Sequence, residues 1–401
     1  MIRRFYEKII QNHIDKYSQM IFISGSRQVG KTTLAKTFQT NEQSYLNWDN
    51  IIHREIILGD IFNYIENNLL NILTKTKPCI IFDEIHKFKH WKNFIKGFYD
   101  QYKEKLTIIV TGSAKLDVYN KGGDSLMGRY FNYQIFPLSV YELLQHPYQK
   151  ILIHPQSELN QKAWQTLIQR GGYPEPYLKN DDEFTTLWQT SRRSQLFREE
   201  IRDYANIQNI DQLELLGQLI THQTGSQTNY SNLAVKIRVS ETTVRNWFTL
   251  LENTYFCFNI YPWSTNIHRS ILKAPKTYLY DWSLCTDKGS MVENLVALHL
   301  LKAIYYWNNT GQGNFGLFYL RNKDKREVDF LVTKENKPWF LAEVKSSAKQ
   351  PLSDNLRFFQ EQLNAPHAFQ LAFDMDYIDM DLFTLDKIHI VPIKTFLSQL
   401  I

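Results

Sequence analysis

Two groups of residues in this 401-residue chain have the types and spacing to do chemistry on phosphate. The first is Gly25-Ser26-Arg27-Gln28-Val29-Gly30-Lys31-Thr32, followed by Thr33, which fits the P-loop pattern G-x-x-x-x-G-K-[ST]. A glycine-rich turn lets successive backbone N–H groups point at phosphate oxygens, at the positive end of the helix that follows. Lys31 would reach the β and γ phosphates of ATP, and Thr32 would offer its hydroxyl to Mg²⁺. The metal also needs a carboxylate, and the apolar run from Cys79 to Phe82 ends in Asp83-Glu84. Ligands bind at the carboxyl ends of parallel strands, so Asp83 is expected beside Mg²⁺ as the Walker-B residue. Glu84 is expected to orient and polarise the attacking water, which favours hydrolysis over passive binding. A further apolar strand, Leu106 to Val110, ends in Thr111-Gly112-Ser113. Ser113 there suits a polar residue that senses the γ-phosphate or the lytic water.

The second group lies in the C-terminal third. Glu293 falls on a helix, Asp329 ends Arg326-Glu327-Val328-Asp329, and Glu343-Val344-Lys345 ends an apolar strand from Trp339. Thirteen residues separate Asp329 from Glu343, room for a hairpin turning at Lys334 to Pro338. Strand alternation places Glu343 and Lys345 on one face. This D…E-x-K spacing is that of the restriction-endonuclease-like fold. Asp329 and Glu343 would hold Mg²⁺, Lys345 would position or activate a water against a phosphodiester, and Glu293 would be a further ligand or orienting group. A surface hairpin with mixed charges, or such a fold without activity, accounts for the same residues.

The elements that must position these groups divide the chain into four parts. Residues 1–142 alternate strand-like runs, such as Ile21-Phe22-Ile23 and Tyr45 to Asp49, with helical stretches, as in a parallel α/β sheet. Between His86 and Tyr102, Phe88, Trp91, Phe94, Ile95 and Phe98 recur at helical spacing and read as a core-facing stripe. Gly122-Gly123 marks a turn. Residues 143–206 read as mainly helical, with Gly171-Gly172-Tyr173-Pro174-Glu175-Pro176 ending any helix there.

Residues 207–263 read as a winged helix-turn-helix: helices from Asp211, from Tyr230 with Ser231 as cap, and after a capping Ser240, then aromatic strands from Tyr255 to Trp263. Thr242, Thr243, Arg245 and Asn246 would face a DNA groove, although the module could equally serve packing or oligomerisation. Residues 264–401 are α/β again and carry the second group.

Composition sets the bounds. The length fits about two or three domains, and 43% hydrophobic with 14% aromatic residues can build substantial cores. A net charge of +5 permits nucleic-acid contact without demanding it. Cys79, Cys257 and Cys285 are few and far apart, excluding a disulfide framework or zinc cluster and pointing to a reducing compartment. No run approaches the roughly 18 apolar residues of a membrane span, so a cytoplasmic protein is expected.

Taken in order, these motifs make the chain resemble the predicted bacterial and archaeal AAA-type ATPases whose C-terminal half is a domain of unknown function. The carriers are Gly25 to Leu34, Phe82 to His86, Thr111 to Ser113, Gly128-Arg129, Pro137-Leu138-Ser139, Gly171 to Pro176, Lys276-x-Tyr278-x-x-Asp281, Glu327 to Asp329 and Glu343 to Lys345. The resemblance implies a P-loop ATPase domain, then a winged-helix segment and a restriction-endonuclease-like domain. It makes Arg129 a γ-phosphate arginine, acting in cis or across a subunit boundary of a homo-oligomer, and Gly172-Tyr173-Pro174 a nucleotide-sensing turn. Arg198-Glu199-Glu200 and Asp281-Trp282-Ser283-Leu284 depart from the Arg-Asp and Asp-x-Gly-Leu of such relatives. The expected function is an ATP-binding and ATP-hydrolysing switch whose nucleotide state controls a DNA-associated, nuclease-like module. An ATP-gated metal-dependent nuclease, and a nucleotide-dependent scaffold with a silent C-terminal domain, are the other readings.

Overall fold

Met20–Ser24 (β1) and Cys79–Asp83 (β3) are buried at every position, and Thr107–Gly112 (β4) at all but the first, as strands covered on both faces must be. With Tyr45–Asn47 (β2) and Tyr130–Gln134 (β5) they form a five-stranded sheet in the order β2-β3-β4-β1-β5, parallel throughout. Here β4 lies between β1 and β3, so the ends of all three strands point their loops at one place. The computed structural model describes residues 2–71, 77–113, 126–201, 209–264 and 274–401, and the Gly122-Gly123 turn lies outside them. They divide into one unit from Arg3 to Phe136 and another from Pro137 to Ile401.

In the first unit the aromatic stripe faces the core as expected. Trp91, Ile95 and Phe98 are buried on the helix Trp91–Tyr102, and Phe88 and Phe94 pack against the same cluster. The helix starts later than His86, because Ile85–Lys87 forms a separate 3₁₀ turn.

The second unit is built on a seven-stranded mixed sheet, in the order β12-β11-β10-β9-β8-β6-β7. Its strands are Cys257–Pro262 (β6), Lys276–Leu279 (β7), Phe315–Arg321 (β8), Glu327–Lys334 (β9), Lys337–Lys345 (β10), His367–Ala372 (β11) and Ile388–Pro392 (β12). Of the boundaries read from sequence, 142 lies six residues past the division at Phe136, 206 lies outside the described residues, and 263 falls inside the second unit. Strand β6 pairs with β8 at Tyr261↔Phe318 and Pro262↔Tyr319, which fuses the expected winged segment to the expected nuclease-like domain. Residues 137–142 belong here because buried Lys302 bonds Pro137 O, Ser139 Oγ and the Glu142 carboxylate, while Val140 N donates to His299 Nε2.

The helices Ile210–His222, Tyr230–Ile237 and Glu241–Asn253 share one apolar cluster with Cys257 and Leu279. Ser240 caps the third as expected, accepting from Thr243 N at 3.0 Å. The second is capped by Asn229 rather than Ser231. Pro174 does not merely end a helix: it opens the helix Pro174–Lys179 at a position where its missing N–H costs nothing. Among the described residues no helix is long and apolar enough to cross a membrane.

Candidate functional site

The phosphate loop leaves β1 and enters the helix Lys31–Lys36. Gly25 has φ +144°, and a Cβ there would stand 2.4 Å from Ile135 O, so only glycine lets the loop lie against the chain beyond β5. Gly30 has φ +100°, again in the left-handed region. Lys31 is buried, its ammonium donating to Ser26 O at 2.8 Å across the loop. Val29 is fully buried, Ser26 nearly so, and Arg27 and Thr32 are half-buried, whereas Gln28, at φ +63°, and Thr33 are exposed. Arg4, more than twenty residues before the loop in the chain, braces it. Its guanidinium donates to Val29 O at 2.9 Å and to Phe136 O at 2.5 Å.

Asp83 sits at the end of β3 as expected, and three hydroxyls converge on its carboxylate. Thr32 donates to Oδ2 at 3.0 Å, Tyr45 to the same oxygen at 2.5 Å, and Thr111 to Oδ1. Burial, and then the bond to Asp83, raise the Tyr45 phenol well above its ordinary value and keep its proton in place. The Thr32–Asp83 bond joins the two residues assigned to Mg²⁺, and the glycine cradle with the inward lysine fits a triphosphate. The chain's own groups therefore fit Mg²⁺ and ATP.

Glu84 follows at φ +55°, a conformation that costs a non-glycine residue free energy and concentrates at functional positions. Its backbone N–H is held by Thr111 O at 3.1 Å, and Ser113 Oγ lies 3.5 Å from its Oε2. His86 Nε2 is 3.6 Å from the same oxygen. Burial first, then the charges of Lys87 and Lys31, push that imidazole down to about 3, so it stays neutral.

Arg129 is elsewhere. It precedes β5, which runs parallel to β1 with Met20 opposite Tyr130, so it lies at the sheet edge opposite the phosphate loop. A five-residue strand at ~3.3 Å per residue puts ~16 Å between the two edges. Its guanidinium is paired with Asp100 through contacts of 3.0 and 3.1 Å. The cis placement is thereby removed. The Gly172-Tyr173-Pro174 turn lies in the second unit, where a Cβ on Gly172 would meet Trp282 and Pro137 and Arg192 stacks 3.9 Å from the Tyr173 ring.

The hairpin expected for the second group forms between β9 and β10. Strands β9 and β10 are antiparallel with Ala342 opposite Phe330, and one step further along the register brings Glu343 opposite Asp329. Glu293 projects from the helix Lys288–Asn309. What the spacing did not reveal is the occupant. Lys276, 3% exposed, places its ammonium 2.8 Å from Glu327 Oε1, 3.3 Å from Asp329 Oδ1 and 3.4 Å from Glu293 Oε1. Burial lowers this lysine, but Asp329, Glu293 and Glu327 outweigh burial and raise it above its ordinary value, so it is charged.

Further bonds hold the carboxylates of the cluster in place. Asp329 Oδ2 accepts from Val344 N at 2.9 Å, Tyr278 donates to Glu293 Oε1 at 2.7 Å, and Arg321 pairs with Glu327 at 2.5 Å. Glu293 is pushed up to about 7, by burial first and then by the Asp329 charge. Lys345 pairs with Glu343 Oε1 at 2.7 Å, and Glu343 Oε2 is buried without a hydrogen-bond partner. Among the described residues no three His, Cys, Asp or Glu side chains are arranged to hold a metal ion. Asp329, Glu343 and Glu293 as they stand do not fit Mg²⁺.

Sequence reasoning passed over Arg4, Tyr45, Lys276, Tyr278 and Glu327 as site residues. A usable signal existed for three of them. Lys276 and Tyr278 alternate onto one face of β7, and Glu327 and Asp329 onto one face of β9.

Residues 17–144 match the AAA domain, residues 161–291 a domain of unknown function (DUF8612), and residues 288–396 another domain of unknown function (DUF4143). The chain is 24% identical over 349 residues to the uncharacterized protein MJ1637 of Methanocaldococcus jannaschii, covering 74% of this chain and 72% of that protein. It is 19% identical over 359 residues to the uncharacterized protein Rv2008c of Mycobacterium tuberculosis, covering 84% and 73%. Among solved structures, AMPPCP-bound DnaA from Aquifex aeolicus aligns with a TM-score of 0.31 at 13% identity, over 62% of this chain and 87% of that one. The first unit has the fold of an AAA-type P-loop ATPase.

Proposed function

We propose that this chain is an ATP-binding and ATP-hydrolysing switch, whose nucleotide state controls what the second unit does. The hydrogen bond from Thr32 to Asp83, made where β1, β3 and β4 end together, carries this reading. Backbone N–H groups from Gly25 to Thr32 cradle the phosphates, and Lys31 turns from Ser26 O to the β and γ oxygens. Thr32 and Asp83 would hold Mg²⁺, which would neutralise the charge of the triphosphate. Glu84 holds the attacking water and takes up its proton, while Ser113 orients the Glu84 carboxylate or the γ-phosphate. Arg129 serves a neighbouring copy in a homo-oligomer, since its own phosphate loop is a strand length away.

The second unit then acts as a responding module. DNA association through the helix Glu241–Asn253 is weak and salt-dependent, because Arg245 is already paired with Glu241 at 2.6 Å and stacked 4.3 Å from the Tyr230 ring. The Lys276 cluster favours a regulator over a nuclease.

Calorimetric titration with ATP tests the core of this reading. Lys31→Ala removes a desolvated charge contact worth ~2 kcal/mol or more, so affinity should fall by about 30-fold or more. An unchanged affinity rejects the phosphate-loop assignment.

A further inference from the structure

We propose that the Lys276 ammonium is the resident cation of the Glu293, Glu327 and Asp329 cluster, so that the second unit keeps the carboxylate geometry of a metal-dependent phosphodiesterase yet takes no divalent metal. This assignment is independent of the nucleotide site.

An ammonium has three donors and no acceptor. Lys276 faces three carboxylate oxygens at 2.8, 3.3 and 3.4 Å, one from each of β9's two acidic residues and one from the helix. Its demand is therefore met by the groups that a metal would need. A divalent ion bridging Asp329 and Glu293 would have to share their inward oxygens with this ammonium, adding two positive charges beside one that the fold has buried. Mg²⁺ also requires near-octahedral oxygen contacts at about 2.0–2.1 Å. Asp329 cannot swing to provide them without dropping Val344 N, which its other oxygen holds at 2.9 Å. Glu343, the remaining candidate ligand, gives Oε1 to Lys345 at 2.7 Å, which leaves only Oε2 to offer.

The position of Lys276 is itself built. It stands on β7, which pairs with β6 through Ile260↔Lys276, and Gln227 bridges to the same residue. Tyr278, two residues on, donates to Glu293 Oε1 at 2.7 Å. The ammonium and phenol of one strand face thus take the carboxylates of β9 and of the helix Lys288–Asn309. The cluster fastens strand β7 and the helix Lys288–Asn309 to the hairpin, and its chemistry is that of a structural charge network.

Mn²⁺ alone, titrated without nucleotide into the full chain and read by electron paramagnetic resonance, tests this. Wild type should show no binding that depends on Asp329. Lys276→Met keeps the stem and removes the charge. It should bind Mn²⁺ tighter than wild type by about tenfold or more, and the added Asp329→Asn should abolish the gain. Should the methionine variant fail to fold, Lys276→Gln, which retains hydrogen-bond donors, takes its place with the same expectation. Wild-type Mn²⁺ binding that Asp329→Asn or Glu343→Gln removes overturns the proposal. So does a folded Lys276 variant that binds Mn²⁺ no better than wild type.

Discussion

Asp83 and Asp329 both sit on strands, both are largely withdrawn from water, and both accept hydrogen bonds at each carboxylate oxygen, yet their partners differ in charge. Asp83 is ringed by the hydroxyls of Thr32, Tyr45 and Thr111. Asp329 is held by an ammonium and a backbone N–H. Hydroxyls satisfy a buried carboxylate without neutralising it, and they can rotate to offer a lone pair to an arriving metal. An ammonium neutralises it and repels the metal. Counting charges around a carboxylate therefore separates a metal-receptive site from a finished one, where counting carboxylates does not.

The largest effect expected on the hydroxyl-lined side is on turnover. Glu84→Gln should slow phosphate release by about 10²–10⁴ while leaving ATP binding intact. Arg129→Ala should cost about 10³ or more, and mixing the two variant proteins should restore part of the activity if the arginine acts across subunits. Undiminished release by either variant, measured by phosphate production, removes that residue from the catalytic set.

On the ammonium-filled side the effect is on stability. Lys276→Ala leaves three acidic groups facing one another in a buried site, and breaking a buried pair in this way costs roughly 3–5 kcal/mol. Denaturant unfolding followed in the second unit should show that loss, and a change below about 1 kcal/mol would make the cluster a solvated one after all.

A smaller effect concerns pH. Glu293 is raised from an ordinary value of 4.5 to about 7. Within that window the folded chain binds the extra proton and the unfolded chain does not, so this group makes stability fall as pH climbs from 4.5 towards 7. Glu293→Gln should flatten that slope, as read from melting temperatures across the range. An equal slope in the variant assigns the dependence elsewhere.

What the sequence made legible was what lies close along the chain. The phosphate loop, its strand and helix, and the end of β3 are each set by a few neighbouring residues. The Asp329 and Glu343 pairing was readable because a hairpin of known length fixes it. Lys276 escaped because its partners stand 17 and 53 residues away and only the assembled sheet joins them. Arg129 carried the right residue type, but which sheet edge it occupies depends on strand direction, a property of pairing rather than of local pattern. The boundary at 263 was drawn between two local patterns, and only the pairing of β6 with β8 shows that one sheet spans both.

The contacts around Gly25 and Arg4 carry a consequence for the order in which the protein is made. Gly25 rests on Ile135 O, and the guanidinium of Arg4 closes on Phe136 O, 132 residues further along the chain. At about 5–20 residues per second, synthesis separates the first of these groups from the last by on the order of ten seconds. During that interval the nascent chain displays the whole G-x-x-x-x-G-K-T motif without the wall that shapes it. Only when the last strand of the first unit lies beside β1 does the loop gain these two contacts, so its shape is completed by the end of the unit rather than by its start.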